Sequence, residues 1–425
     1  MFSLIEALDF RCLRHVYQRL GPFHVLVGPN ASGKTTFLDV VSFLGQLVSN
    51  GLDAAVSERT RNFTDLVWDR QGDRIELALE ARIPEELRWQ MAEKEHDTVR
   101  YEVAVGVDPD TREVNILAEN VLSRASPPEQ PGLRMLFPVE PDRPETIIAG
   151  TRGSDTRALL SKVPGGNDNF YSEVRDKRRD GGGGGGGWSP SFKLGPRKSA
   201  LGNLPGDEAK FPVSTWLREL LAEGVQKIML NSLAIRKASP PGQVRGFKPD
   251  GSNLPWVVED LRKSDSERFA AWIAHLKTAL PDIEDVHTVE RQDDKHRYLV
   301  LDYSGGLQVP SWMASDGTLR LLALTLPAYL PAFKGVYLIE EPENGIHPRA
   351  VETLFQSLSS AYDAQILAAT HSPVILSIAK VDTVLCFSKT PQGATDIVSG
   401  SEHPKLRDWQ GETNLGVLFA AGVLG

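Results

Sequence analysis

Apolar and polar residues follow two different periods along this chain. Near the amino terminus, the β-rich stretches LIEALDF and FHVLVG precede TTFLDVVSFLGQLV, whose apolar residues recur at helical spacing. In the carboxy-terminal part, compact apolar stretches such as GVYLIE and QILAAT alternate with helical patterns. Short apolar strands separated by helices are typical of a parallel sheet that is buried on both faces. The pattern therefore predicts an α/β fold in which helices cover a mixed or parallel sheet.

The middle of the chain has a different pattern. Between Arg74 and Ser123, three strand-like stretches and the turn signal DPDT predict an antiparallel β-subdomain. From Ser126 to about Lys210 the sequence is rich in Pro, Gly and charge, and it includes the seven consecutive glycines Gly181–Gly187. This composition predicts a mobile loop, because glycine runs lose too much backbone entropy in a regular element. Further on, STWLRELLAEG and SERFAAWIAHLKTAL predict helices and RYLVLDYS predicts a strand.

Composition narrows the class of protein. The 425 residues are 41% hydrophobic and 24% charged, which is ordinary for a globular protein. No apolar run approaches the ~20 residues that a membrane-spanning helix needs, and no export signal is visible at the start, so we expect no membrane and a cytoplasmic location. Two cysteines, Cys12 and Cys386, argue against a disulfide framework or a cysteine-ligated metal. The net charge of −9 disfavours a uniformly basic surface but leaves room for a local DNA groove.

The stretch GPNASGKTTF matches the phosphate-loop pattern G-x-x-x-x-G-K-[ST]. Backbone N–H groups of such a loop hold phosphates, Lys34 would neutralise the β and γ oxygens, and Thr35 would bind Mg²⁺. A chance match in a glycine turn is the alternative, but the preceding strand and following helix argue against it. The predicted nucleotide-binding residues here are Gly28, Asn30, Ala31, Ser32, Gly33, Lys34, Thr35 and Thr36.

Two acidic residues follow a buried strand in VYLIEEPENGIHP. The apolar run Val336–Ile339 suits a central strand, and ligands of open α/β sheets bind at the carboxyl edge of such strands. Glu340 could hold the metal ion and Glu341 could polarise an attacking water. A solvated acidic turn is the alternative.

Two further stretches could meet the same site. His371 follows the apolar strand in AATHSPVIL, where it could bond a γ-phosphate or the attacking water, although a lone histidine is more often structural. In ASDGTLRLLAL, the residues Ser315, Asp316 and Gly317 look like the cap of a buried helix whose amides could bind a phosphate. Taken alone, this second signal is no stronger than that of any capped core helix.

Together and in this order, these stretches resemble the ATP-binding-cassette (ABC) superfamily, specifically its soluble branch of SMC-like, RecF-like and OLD-like ATPases. LDFRCL is similar to the amino-terminal element of that branch, ASDGT to its signature motif, EEPENGIHP to its Walker B motif with D-loop, and THSP to its switch histidine. GSNLPWVVEDL is similar to a segment that recurs in compact bacterial ATPases of this branch, some of which serve in antiphage defence.

The resemblance implies an ABC-type head that binds ATP and Mg²⁺ between two copies of the chain. In that arrangement Lys34 and Thr35 bind nucleotide and metal, Glu341 is the base, and His371 senses the γ-phosphate. Ser315, Asp316 and Gly317 would reach the nucleotide of the partner copy. Arg11, in the amino-terminal element, would touch the nucleotide of its own head. We therefore expect a homodimer that forms through ATP.

Two departures from the family pattern qualify this expectation. Glu340 stands where most members have aspartate, so we expect slow hydrolysis. No Q-loop glutamine is recognisable between the first helix and RNFTDLVW. The residue that would couple the metal ion to the lobe in this stretch therefore stays unassigned.

The spacing of the motifs indicates which kind of member this is. About 300 positions separate Lys34 from Glu341, and the intervening sequence lacks the sustained heptads of an SMC coiled coil. We divide the chain into an amino-terminal lobe (1–125) with the phosphate loop and β-subdomain, an inserted segment (126–250), mostly irregular and helical, and a carboxy-terminal lobe (251–425) with the remaining motifs. The short tail after His371 leaves no room for an OLD-type nuclease domain, so we expect a separately encoded effector, a nuclease or toxin.

Alternative functions stay open at this point. The ATPase could also contact DNA, through the basic stretches RDKRRD and FKLGPRK with Arg236, Lys237, Arg245 and Lys248, although such runs are more often solvated loops. A RecF-like DNA-repair ATPase that acts at DNA gaps or ends is a second hypothesis. A nucleotide-gated scaffold without hydrolysis would suit Glu340. A small-molecule kinase would explain the phosphate loop but not ASDGT or EEPENGIHP.

Overall fold

The computed structural model describes residues 1–126, 134–149, 155–163, 165–174, 190–244, 246–331, 333–406 and 414–422. In these ranges the strands are β1 Phe2–Phe10, β2 Leu13–Arg19, β3 Phe23–Val27, β4 Arg74–Arg82, β5 Thr98–Val107, β6 Val114–Arg124, β7 Thr156–Lys162, β8 Asp168–Phe170, β9 Ser191–Phe192, β10 Val225–Ile228, β11 Ile283–Glu290, β12 Arg297–Tyr303, β13 Leu307–Pro310, β14 Gly335–Glu340, β15 Ala364–Ala369, β16 Val384–Lys389 and β17 Thr395–Ser399. The helices are α1 Lys34–Asn50, α2 Leu52–Ser57, α3 Glu85–Arg88, α4 Pro212–Ala222, α5 Ser232–Arg236, α6 Leu254–Ser264, α7 Ser266–Ala279, α8 Asp316–Thr325, α9 Pro348–Ser359, α10 Pro373–Ile378 and α11 Leu415–Ala420.

One sheet is parallel except at one edge, and helices cover it on both faces. Its strand order is β10-β14-β15-β3-β16-β17, and only β17 runs antiparallel to its neighbour. Val336 and Leu338 of β14 pack in one core with α1, whereas Tyr337 and Ile339 pack in a second core with α8 and α9. The four positions Val336–Ile339 therefore all need apolar side chains, which is why this part of the strand reads as a continuous apolar run. The predicted covered sheet is confirmed.

The register of this sheet aligns three strand ends. Glu340 pairs with Ala369 across β14 and β15, and Ala369 pairs with Leu26 across β15 and β3. Because the strands are parallel, the segments that follow these residues leave the sheet at the same edge. Three segments therefore start side by side at this edge of the sheet. They are the phosphate loop after β3, the acidic residues at the end of β14 and the histidine after β15.

The second sheet is antiparallel and larger than the sequence predicts. Its order is β2-β1-β4-β5-β6-β7-β8-β9, and the hairpin of β5 and β6 at DPDT is confirmed. The prediction of a mobile loop from Ser126 to Lys210 is wrong for β7 to β9, which extend this sheet. Leu159, Leu160 and Phe170 are buried there, because pairing with β6 supplies a core that the local Pro- and Gly-rich composition does not reveal. The glycine tract Gly181–Gly187 lies outside the described residues.

The 126–250 segment contributes strands to both large sheets, β7 to β9 to one and β10 to the other. The division of the chain into three segments stays a prediction. The predicted helices at STWL and SERF are α4 and α7, and the predicted strand RYLVLDYS is the centre of a three-stranded sheet of β11, β12 and β13. Among the helices in the described ranges, none is long and apolar enough to span a membrane.

The Gln365 side chain joins the two large sheets. Gln365 of β15 is fully buried, and its amide oxygen accepts a hydrogen bond from the Phe2 N–H at 2.8 Å. Its amide nitrogen donates to the carbonyl oxygens of Phe2, at 2.8 Å, and Gly21, at 2.7 Å. Burying the Gln365 amide without these hydrogen bonds would cost free energy, so the amide helps to fix where the antiparallel sheet meets the parallel one.

We predict that Gln365→Leu lowers the free energy of unfolding by about 2–4 kcal/mol, because it strands buried backbone groups of Phe2 and Gly21. Urea unfolding followed by circular dichroism measures this. The matched control is Gln356→Leu, at an exposed position of α9, which should change stability by no more than about 0.5 kcal/mol. Equal midpoints for the two variants would contradict the assigned role of Gln365.

Candidate active site

The phosphate loop, residues 28–35, connects β3 to α1, and hydrogen bonds and close packing within the chain hold it in place. The Lys34 ammonium donates to the carbonyl oxygens of Gly28, at 2.8 Å, and Pro29, at 2.9 Å. Gly33 has a φ of +102°, and a Cβ there would lie 2.2 Å from Thr395 Oγ1, so only glycine fits. The Thr395 hydroxyl donates to the Ser32 carbonyl oxygen at 3.0 Å. The loop is therefore packed against β17 before any ligand arrives.

The Glu340 carboxylate lies directly beside this loop. Its Oε2 accepts a hydrogen bond from the Thr35 hydroxyl at 2.7 Å, and its Oε1 lies 2.6 Å from the Lys227 ammonium of β10. Burial raises the pKa of Glu340, but the bonds from Lys227 and Thr35 outweigh it, and the pKa ends below its ordinary value. Glu340 is therefore ionised at neutral pH, and the longer glutamate side chain does reach the Thr35 hydroxyl.

Glu341 turns out of the sheet at the next position. It has a φ of +46°, in the left-handed region that non-glycine residues seldom adopt, and its N–H donates to the Ala369 carbonyl oxygen at 2.8 Å. Such a backbone costs on the order of 1–3 kcal/mol and is characteristic of functional sites. The turn leaves Glu341 exposed at the strand end, next to Glu340.

A cavity of about 720 Å³ collects most of the predicted site residues. Of the predicted set, its walls include Arg11, Asn30, Ala31, Ser32, Gly33, Lys34, Thr35, Thr36, Glu340, Glu341 and His371. Gly28 does not line the cavity. Its carbonyl oxygen accepts a hydrogen bond from the Lys34 ammonium, and a Cβ at this position would lie 2.2 Å from the Phe387 carbonyl oxygen. Sequence regions that are hundreds of positions apart thus share one cavity at the predicted sheet edge.

Sequence reasoning missed several residues of this cavity. Asp65, Val67, Asp69 and Arg70 line it, from the stretch in which no Q-loop glutamine was found. The Arg11 N–H donates to the Leu66 carbonyl oxygen at 2.8 Å, which holds that stretch against the turn after β1. Cys12, Ala369 and Lys389 complete the lining. Cys12 and Ala369 belong to stretches that the motifs cover, but no local pattern marked any of these residues as cavity lining, because their place depends on how the strands and loops pair.

A hydrogen bond from its backbone N–H positions His371. Its N–H donates to Glu343 Oε1 at 3.1 Å, and the Thr370 hydroxyl donates to the same oxygen at 2.6 Å. Glu343 lies in EEPENGIHP, so one carboxylate links the segment after β14 to the segment after β15. Its Oε2 is buried without a hydrogen-bond partner among the residues that the structure describes.

The signature segment, Ser315–Thr318, lies elsewhere on the surface. The Ser315 hydroxyl accepts from the Thr318 N–H at 3.1 Å, which confirms the predicted cap of α8, and Ser315 and Asp316 are exposed. Of the described residues that line the cavity, none comes from this segment. A Cβ at Gly317 would lie 2.4 Å from the Gly345 carbonyl oxygen, so the cap packs closely on EEPENGIHP.

Some basic residues that were candidates for DNA contact are engaged within the chain. The Arg236 Nε donates to Asp316 Oδ1 at 2.9 Å, and the Lys248 ammonium donates to Gln243 Oε1 at 2.6 Å. Arg245 and the stretch RDKRRD lie outside the described residues. DNA binding stays a prediction.

The fold and the cavity define the class of this protein. The chain has the fold of an SMC head, as its motifs indicated. A sequence model of the family described as "AAA domain, putative AbiEii toxin, Type IV TA system" matches residues 23–90 and 162–377, more than half of the chain. The chain belongs to this family. No curated protein matches the sequence.

Two solved Smc heads have the same fold. The SmcHead bound to the C-winged helix domain of ScpA is 14% identical, with 93% of this chain and 96% of that chain covered and a TM-score of 0.53. The Smc head domain with an extended coiled coil, bound to the C-terminal domain of ScpA derived from Pyrococcus furiosus, is 13% identical, with 93% and 95% covered and a TM-score of 0.51. The predicted ABC-type head, with its covered sheet and antiparallel subdomain, is confirmed.

The residues of the cavity fit a nucleoside triphosphate. Lys34 is almost completely buried, and this burial lowers its pKa to about 8, although the charges of Glu341 and Glu340 oppose the shift. The buried ammonium donates only to neutral oxygens, two carbonyls and the Ser32 hydroxyl, among the residues that the structure describes, so an anionic phosphate would complete an ion pair with it. The carboxylate of Glu340 and the hydroxyl of Thr35 are oxygen donors of the kind that Mg²⁺ prefers.

We predict that ATP affinity weakens as pH rises. Above a pKa of about 8 the free protein loses the Lys34 proton, whereas binding of phosphate requires the charged form, so affinity should fall toward about tenfold per pH unit. Fluorescent ATP titrations from about pH 7.5 to pH 9.5 measure this. In Lys34→Arg, whose side chain stays charged throughout that range, the slope should disappear. A wild-type affinity that is constant over the range would contradict the prediction.

Proposed function

We propose that this chain binds and hydrolyses ATP with Mg²⁺, and that two copies close head to tail around the nucleotide. The observation that carries the hydrolytic part is the meeting of the phosphate loop, Glu340 and Glu341 at one cavity. A passive phosphate-binding loop needs no pair of carboxylates at its rim, whereas phosphoryl transfer to water needs a metal-holding group and a group that orients the water.

Each residue has a separate task in this proposal. Lys34 and the loop amides hold the β and γ phosphates, and Thr35 with Glu340 holds the metal ion, which when bound withdraws charge from the phosphates. Glu341, freed from the sheet by its left-handed backbone, orients the attacking water and takes its proton. His371, held by Glu343 through its backbone N–H, presents its side chain to the γ-phosphate. Arg11 contacts the nucleotide near the loop.

The dimer is proposed from the place of the signature segment. Ser315 and Asp316 are exposed at the start of α8, away from the chain's own cavity, so they can serve only a nucleotide that another molecule presents. The amides of a capped helix start attract phosphate, and Ser315 and Gly317 would meet the γ-phosphate of the partner copy. Contact between Gly317 and Gly345 supports a link between this surface and EEPENGIHP, whose Glu341 is the proposed base.

The dimer would act on a separately encoded effector. Family members carry the description of a putative toxin of a Type IV toxin–antitoxin system, and the similar Smc heads are bound to a second protein, ScpA. We propose that the ATP-dependent closure of this head holds or licenses such an effector, a nuclease or toxin, in bacterial antiphage defence. Hydrolysis then resets the pair.

Glu341→Gln should reduce steady-state phosphate release about 100-fold or more while ATP still binds, because the amide cannot accept the proton of the attacking water. The control is Glu352→Gln on the exposed side of α9, which should hydrolyse at the wild-type rate. Equal rates in wild type and Glu341→Gln would exclude Glu341 as the base, and equal rates no higher than without protein would favour the nucleotide-gated scaffold.

The same variant tests the dimer. Glu341→Gln should sediment as a dimer with ATP and as a monomer without it, since the bound nucleotide is no longer consumed. Adding Ser315→Arg should keep the protein monomeric with ATP but leave ATP binding intact, because Ser315 does not line the chain's own cavity. A monomer under every condition, with ATP bound, would contradict the closure of two heads.

A further inference from the structure

Lys227 is a cation that none of the motifs contains, and it lies against the proposed metal site. It belongs to β10, the edge strand that pairs in parallel with β14, and it is in register with Leu338. The chain therefore brings its ammonium to the carboxyl end of β14, where its nitrogen lies 2.6 Å from Glu340 Oε1.

With this contact, each oxygen of the Glu340 carboxylate has a partner within the chain. Oε2 accepts the Thr35 hydroxyl at 2.7 Å, and Oε1 faces Lys227, so each oxygen already has a partner. Thr35 and Glu340 are also the groups that the proposed function gives to the metal ion. A divalent cation that approached Glu340 would meet an ammonium of like charge at the same carboxylate.

The length of Glu340 makes the contact possible. An aspartate at this position would draw the carboxylate back by about 1.5 Å, one carbon–carbon bond, from both partners. The pair is also open to exchange, because the side chains of Lys227 and Glu340 are 39% and 30% exposed. An ion pair of that exposure is weak, so it can hold Glu340 in place and still be displaced.

We propose that Lys227 is a positioning residue that exchanges with the metal ion. In the metal-free protein its ammonium neutralises Glu340 and holds the carboxylate beside Thr35. When a divalent cation and nucleotide are loaded, the ammonium leaves Oε1, and this competition sets the metal concentration at which loading occurs. The inference rests on the proposed function, because it takes Thr35 and Glu340 as the metal-holding pair.

The test is Mn²⁺ binding to the full chain with saturating AMP-PNP, a non-hydrolysable ATP analogue, followed by electron paramagnetic resonance. Lys227→Met keeps the length of the side chain but removes its charge, and it should bind Mn²⁺ about fivefold more tightly than the wild type. Lys227→Arg should restore the wild-type affinity. Lys334→Met makes the same change of net charge at an exposed lysine before the opposite end of β14, and it should leave the affinity unchanged.

The outcomes separate this inference from the proposed function. If the wild type binds Mn²⁺ with AMP-PNP but Lys227→Met binds it equally or more weakly, Lys227 does not compete with the metal and the inference is wrong. If Lys334→Met tightens binding as much as Lys227→Met does, net charge alone explains the effect, and the inference is again wrong. If the wild type binds no Mn²⁺ in the presence of AMP-PNP, both the proposed function and the inference are overturned.

Discussion

Parallel pairing of β14, β15 and β3 is the constraint on which the site depends. Backbone hydrogen bonds fix Glu340 opposite Ala369 and Ala369 opposite Leu26, so three connections leave the sheet from one row. A shift of one residue in this register would turn the side chains of a strand to the other face and would separate Glu340 from Thr35. Burial of the strands on both faces makes such a shift costly, and the two apolar cores therefore also hold the chemistry in place.

Packing and hydrogen bonds within the chain hold the segments at this edge of the sheet in place. The phosphate loop packs on Thr395 and Phe387 with no space for a side chain at Gly33 or Gly28, and Lys34 is tied to the loop carbonyls. A preorganised loop and an already ionised Glu340 reduce the reorganisation that accompanies reaction. Lys34 and Glu340 line the cavity with opposite charges, and Lys227 pairs with Glu340 beside it.

The signature segment packs on the chain on one side and is exposed on the other. It packs through Gly317 on EEPENGIHP but presents Ser315 and Asp316 to the exterior, with Arg236 bound to Asp316. The same few residues thus contact the turn at Gly345 on one side and the exterior on the other. In the proposed dimer, this close packing would couple the D-loop of one head to the cap that meets the partner copy.

The sequence by itself determined the features that depend on neighbouring residues. The phosphate loop, the acidic strand end, the cap at Ser315, the helices α4 and α7 and the covered parallel sheet were all predictable, since pattern and turn chemistry act over a few positions. Only the tertiary structure decided that Lys227 meets Glu340, that Asp65, Asp69 and Arg70 line the cavity, and that β7 to β9 extend a sheet. These contacts join residues far apart in the chain, and the physical reason for each is a pairing partner or a core that no local window contains.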